Sequence, residues 1–173
     1  MGDFWVFGYG SLIWSPGFEF VEQHKAKLRG FHRALCIHSW HYRGTAEVPG
    51  LVLGLDRGGS CEGIARRVLA ENGKHVIAYL RERELVFDVY RESWVDIALQ
   101  DGRKVKAVTY VAARQHEQYA APMSLEQTAE IVFRAKGKTG TNRDYVENTV
   151  RSFKLHGIHD IKLEAICRKI AGL

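Results

Sequence analysis

The sequence is poor in cysteine, and the three it has, Cys36, Cys61 and Cys167, lie far apart. An odd number with no Cys-x-x-Cys argues against a disulfide framework and a structural zinc site, and fits a reducing, cytoplasmic compartment. Long apolar runs are also missing. No uninterrupted stretch approaches the ~20 residues of a membrane helix, and the first residues lack the basic, apolar and small-residue pattern of an export signal. A soluble, unexported chain with no membrane partner is expected. Dense basic runs are absent too, although the formal charge is +5 and the pI about 9.2. Lys and Arg are scattered among acids, from Lys25, Lys27 and Arg29 through Arg66 and Arg67 to Arg168 and Lys169. That distribution argues against nucleic acid and leaves a mild positive field suited to anionic small molecules. With 173 residues, 46% hydrophobic content, and no repeat or low-complexity linker, one domain over residues 1–173 is expected.

What is present starts at Phe4. The run Phe-Trp-Val-Phe-Gly-Tyr-Gly-Ser-Leu-Ile-Trp, ending at Trp14, sets an aromatic and β-branched strand directly against a glycine pair. Such a strand must end in an abrupt turn, where Gly8 and Gly10 permit close backbone approaches that a side chain would block. Successive N–H groups there can cradle an oxyanion or a polarised carbonyl oxygen, which places a ligand over Gly10, Ser11 and Leu12. Two familiar loops are excluded. A dinucleotide fingerprint needs Gly or Ala where Ile13 stands, and a nucleophile elbow centred on Ser11 needs glycines where Tyr9 and Ile13 stand.

Strand patterns follow over Phe18–Val21, Leu28–Trp40 and Leu51–Leu55, with Arg57-Gly58-Gly59-Ser60 expected to turn a hairpin between Leu51–Asp56 and Cys61–Val68. A second hairpin is expected around Asp101-Gly102, joining Ser93–Leu99 to Val105–Val111. Between them, Asn72–Phe87 changes period, and Val76, Ile77, Leu80 and Phe87 fall on one helical face. Ser124-Leu-Glu-Gln127 is a capping box for a helix stopped at Gly137, and further helices are expected over Asn142–His156 and Asp160–Ile170. The fold class is α+β: a mostly antiparallel sheet or small barrel with helices inserted and appended.

The middle helix carries the informative acid. Glu84 follows Leu80 by one turn and Val76 by two, so its carboxylate projects from the apolar stripe, whereas Glu82 points the opposite way. Loss of water raises a carboxyl pKa from about 4.3 toward roughly 6 to 7, where it can move protons at neutral pH. Glu84 is therefore a candidate general base and acid, with an ion pair to Arg83 or another Arg, or a place at the edge of the stripe from which it snorkels outward, as the alternatives. A metal reading of His24, His32, His38 and His41 fails: His38 and His41 fall on opposite faces of a strand, and no neighbouring Cys or paired carboxylate completes a site. Gly137-Lys138-Thr139 lacks the first glycine of a phosphate loop, because Val132 occupies its place.

Together the Gly-Tyr-Gly-Ser loop and Glu84 resemble the ChaC-type, glutathione-specific γ-glutamylcyclotransferases. Trp5–Trp14 looks like that family's opening strand and substrate loop. Arg43-Gly44 with Pro49-Gly50, Ala78–Glu84 with Tyr90, Tyr119–Pro122, and Gly137-x-x-Gly140-x-Asn142-x-x-Tyr145 match further landmarks. One departure is Asp88-Val89, where many relatives carry Gly-Gly. The resemblance implies a small mixed β-barrel with flanking helices, no cofactor or metal, and cleavage of glutathione to 5-oxoproline and Cys-Gly.

Cyclisation requires the substrate's own α-amine to attack its γ-carbonyl, so no covalent nucleophile is needed. Glu84 would take the amine proton and return it to the departing nitrogen. The loop residues Tyr9, Gly10, Ser11 and Leu12 would hold the substrate, chiefly through backbone N–H groups. Arg43 is a candidate for a substrate carboxylate and Tyr119 for a hydroxyl contact, with a surface ion pair and a packing ring as their respective alternatives. Two other activities fit the same frame: a γ-glutamylamine cyclotransferase, and a non-catalytic binder of γ-glutamyl metabolites that regulates a partner such as a transport system.

Overall fold

The computed structural model describes residues 2–173, and its five long strands close into a barrel. In chain order these are β1 (Phe4–Gly8), β2 (Glu22–Ser39), β3 (Gly50–Val68), β4 (Tyr90–Leu99) and β5 (Lys104–Ala112), arranged β1-β3-β2-β4-β5. Four helices accompany them: α1 (Gly73–Glu84), α2 (Leu125–Arg134), α3 (Asn142–Leu155) and α4 (Ile161–Ile170). The α+β expectation holds. Among the described residues no helix is long and apolar enough to cross a membrane. The chain divides into two compact units, one made of the residues up to Ala34 with Gly54–His116, the other of Leu35–Leu53 with Glu117–Leu173.

In the first unit β1 is buried along its whole length and pairs antiparallel with β3, Phe4 opposite Val68 and Gly8 opposite Ile64. It pairs parallel with β5, Trp5 opposite Ala107. Period-two alternation turns Phe4, Val6, Val68, Val108 and Tyr110 to one face, where Val76, Ile77 and Leu80 of α1 pack on them with Leu12. Each such side chain stabilises the fold by about 1.5–3 kcal/mol through removal from water. The expected hairpin at Asp101-Gly102 is the β4–β5 pair.

Three sequence expectations in this unit are corrected. Arg57–Ser60 does not reverse the chain: Gly58 and Gly59 take φ of +98° and +69°, so β3 bends there and runs on. Phe18–Val21 is not a strand. Gly17, at φ +74°, turns the chain where a Cβ would collide with the Tyr79 hydroxyl, and Val21 N–H donates to Arg67 O at 3.0 Å. The middle helix ends at Glu84 rather than Phe87: Leu85 N–H makes its last bond, to Arg81 O, after which Asp88 N–H donates to Leu85 O at 3.3 Å and Asp88, at φ +54°, redirects the chain. Phe87 is consequently 43% exposed.

In the second unit α2 begins with the expected capping box at Ser124 and Gln127. It ends at Arg134 rather than Gly137, since Lys136–Gly137 (β6) pairs with Gly140–Thr141 (β7). Thr141 and Asp160 cap α3 and α4 by accepting from the N–H groups of Asp144 and Leu163. Val132, Val146, Phe153, Leu163 and Ile170 form the apolar interior of the three helices.

Candidate active site

The glycine turn is held from behind by two buried arginines. Arg33 Nε donates to Tyr9 O at 2.6 Å and its NH2 to Glu62 O at 2.5 Å; Arg66 donates to Leu12 O at 2.6 Å and Ile13 O at 2.8 Å. A trans peptide points its N–H opposite the preceding carbonyl, so the Arg33 bond to Tyr9 O directs the Gly10 N–H away from that arginine. Ser11–Ile13 then forms one 3-10 turn, closed by Ile13 N–H donating to Gly10 O at 2.9 Å. The N–H groups leading such a turn have no internal acceptor, which makes them available to a ligand oxygen. A Cβ at Gly8 would stand 3.0 Å from the Leu12 Cβ, so a side chain there would push the close fold-back outward. Nothing in the sequence marked Arg33 and Arg66, because their burial depends on pairing across the barrel.

Glu84 is the last residue of α1, one turn beyond the fully buried Leu80. Its side chain is only 17% exposed, and burial pushes its carboxyl above the ordinary range, with the Arg83 charge pulling partly the other way. Arg83 Nε lies 3.2 Å from Glu84 Oε1, so the ion pair forms and burial still dominates. The same guanidinium donates to Ser11 Oγ at 2.8 Å, Ser15 O at 2.7 Å and Tyr79 Oη at 3.0 Å. Arg83 thus ties the loop to the end of α1. Ser11 accepts from a cation, an arrangement that does not activate a nucleophile. Glu82 is exposed.

A second carboxylate stands beneath α1. Glu92 on β4 accepts from Arg81 Nε at 2.7 Å and from its NH2 at 2.8 Å, which holds its carboxyl below the ordinary range. Tyr110, opposite Glu92 on β5, is pushed the other way by burial and by the charges of Glu92 and Glu84. Two carboxylates driven in opposite directions separate the proton-moving role from the permanently charged one. Glu84 is the one suited to move a proton.

Arg43 and Tyr119 belong to the second unit. Arg43 NH1 donates to Thr139 O at 3.0 Å and Thr141 O at 3.3 Å, and the guanidinium lies 5.5 Å from the Tyr145 ring centroid. Tyr119 forms an antiparallel bridge with Ile37. The landmarks around Arg43 have structural causes: Cβ atoms at Gly44 and Gly50 would collide with backbone, and buried Asn142 accepts from Leu51 N–H and donates to Leu51 O at 2.7 and 2.8 Å. Val89, at the Asp88-Val89 departure, is buried.

Among the described residues one group could present metal ligands, Glu22, His24 and Asp101. Asp101 is distant in sequence, which hid the grouping. Arg103 donates to both carboxylates and Arg67 Nε lies 2.9 Å from Glu22 Oε2, so two guanidinium groups already balance their charge.

Residues 4–172 match the family model described as ChaC-like protein. The chain is 35% identical over 159 residues to the glutathione-specific gamma-glutamylcyclotransferase of Escherichia coli strain K12, covering 92% of this chain and 69% of that one. It is 30% identical over 194 residues to the enzyme of the same name from Schizosaccharomyces pombe, covering 97% and 94%. Among solved structures, a glutathione-specific gamma-glutamyl cyclotransferase from yeast superposes with a TM-score of 0.86 at 20% identity, over 99% of this chain and 97% of that one, a likeness of fold.

Proposed function

The chain belongs to the ChaC-like family, and on that premise we infer that it is a glutathione-specific γ-glutamylcyclotransferase, cleaving glutathione to 5-oxoproline and Cys-Gly. We take residues 1–173 as one such domain. The observation that carries the mechanism is the largely desolvated Glu84 carboxyl beside the glycine turn, joined to it through Arg83.

Glu84, charged, takes a proton from the substrate α-ammonium, whose pKa near 7.7–8.0 lies within reach of a base raised by burial. The freed amine attacks the γ-carbonyl carbon, a C–N bond forms, and charge moves onto the carbonyl oxygen. N–H groups of Gly10, Ser11 and Leu12 receive that charge, each good donor contributing roughly 3–4 kcal/mol in the transition state. The amide C–N bond then breaks as protonated Glu84 returns its proton to the departing cysteinyl nitrogen, and the ring nitrogen loses its second proton, which ends on the released amine, leaving the neutral lactam of 5-oxoproline and the Cys-Gly ammonium. Tyr9 fixes the turn through its carbonyl. Holding the peptide folded for ring closure supplies further acceleration. Arg43 is the candidate for a substrate carboxylate, its guanidinium offering a forked pair of donors, and Tyr119 for a hydroxyl contact. A cytoplasmic location belongs to the same reading, supported by three cysteines that form no disulfide.

The test is turnover by purified protein stripped with chelator, given glutathione and γ-glutamyl-lysine in parallel, with 5-oxoproline measured. Glutathione should be consumed at an undiminished rate. Preferential consumption of γ-glutamyl-lysine, a rate restored only by added metal, or no 5-oxoproline from either substrate would overturn the reading.

A further inference from the structure

Three arginines from three separate segments converge on one cavity of about 260 Å³ in the first unit: Arg57 of β3, Arg91 of β4, and Arg114 just beyond β5. Its floor is apolar, built from Phe31, Leu55 and Val111. Converging like charges over a low-dielectric floor repel one another.

The arrangement is supported from behind. The Asp56 carboxylate, only 3% exposed, accepts from Arg114 Nε at 2.6 Å and from the Arg57 backbone N–H at 2.9 Å. Gln115 Oε1 accepts from Arg91 NH2 at 2.6 Å, a neutral partner that orients the guanidinium without cancelling its charge. One carboxylate against three guanidinium groups leaves two positive charges in excess. Guanidinium forks pair in bidentate fashion with carboxylate or phosphate oxygens.

This cavity is separate from Glu84. On the β4–β5 ladder Glu92 pairs with Tyr110 and Arg91 with Val111. Tyr110 belongs to the core beneath α1, and Glu92 reaches Arg81 of α1. Neighbouring side chains on a strand point to opposite faces, so Arg91 and Val111 project from the face away from α1. The β4–β5 ladder stands between the two sites.

We propose that the Arg57–Arg91–Arg114 cavity is a binding site for a small organic dianion, carrying either two carboxylates or one phosphate, separate from the site that turns over glutathione. The apolar floor accepts the carbon body of the ligand, and the arginines take its charged ends. Ser93, also lining the cavity, adds a hydroxyl.

Calorimetric titration of the whole protein at fixed ionic strength tests this with two probes, succinate and inorganic phosphate. At least one should bind with one-to-one stoichiometry, and the stronger names the ligand class. Arg57→Gln and Arg91→Gln should each weaken binding about tenfold, the loss of one charge-assisted contact. Both side chains are exposed, so folding should survive, and glutathione turnover should stay within about twofold of the parent. Glu84→Gln should bind the probe undiminished. Failure of both probes to bind at millimolar concentration would overturn the proposal, as would unchanged affinity in both arginine variants. So would weakening in Glu84→Gln alone, which would place the anion at the catalytic site.

Discussion

Arg83 Nε stands 3.2 Å from Glu84 Oε1 while the NH2 of the same guanidinium donates to Ser11 Oγ at 2.8 Å. One side chain therefore moderates the charge of the buried carboxyl and anchors the turn facing the substrate. Burial outweighs the ion pair, so Glu84 remains a group that can gain and lose a proton.

Glu84→Gln keeps size and most hydrogen bonding but cannot carry a proton. Turnover of glutathione should fall by roughly 10² to 10⁴, with binding retained. Glu82→Gln, the same change on the exposed side of the helix, should leave the rate nearly unchanged. Near-normal turnover in the first variant, or an equal loss in the second without unfolding, would remove Glu84 as the base.

Arg83→Met withdraws the charge that lowers the Glu84 pKa and leaves burial to act alone. The acidic limb of kcat/KM against pH should move to higher pH, because the base must be ionised to act. A limb that stayed in place, or moved to lower pH, would show that Arg83 does not govern the base.

The raised Glu84 pKa also predicts how stability depends on pH. The folded state holds the proton more tightly than the unfolded state, so the Glu84 contribution to stability falls as pH rises between the ordinary carboxylate value and the raised one. Glu84→Gln removes that loss. Urea denaturation should find the variant more stable than the parent at pH 8 and little different at pH 4; no difference at pH 8 would mean that the carboxyl is not strained by burial.

Ser11→Ala should be mild, since the loop acts through its backbone, whereas Gly10→Val should abolish most turnover by blocking the approach of the substrate. A complete loss in Ser11→Ala, with an acyl-enzyme trapped and seen by mass spectrometry, would revive a nucleophilic serine.

Asn142→Ala should destabilise the protein by about 2–4 kcal/mol, because it strands the N–H and C=O of Leu51 in a buried place. A midpoint of urea unfolding equal to that of the parent would show that these bonds are replaceable.

Local order was legible in the sequence wherever one short segment decides it. The apolar period of Val76, Ile77 and Leu80 gave the phase of α1 and with it the direction of Glu84, and the Ser124 capping box gave the start of α2, because a helix is built from contacts three and four residues apart. The glycine turn after β1 was legible for the same reason: Gly8 and Gly10 state locally what the backbone must do. The tertiary structure decided what depends on distant partners. Gly58-Gly59 reads as a hairpin turn by itself and becomes a bend within β3 because the barrel continues the pairing on both sides. Arg33 and Arg66 look like scattered surface charge, and only the closing of β2 and β3 around β1 buries them against the carbonyls of the turn. Likewise the ionisation of Glu84 was set by the packing around the end of α1, since desolvation is a property of neighbours far apart in the chain.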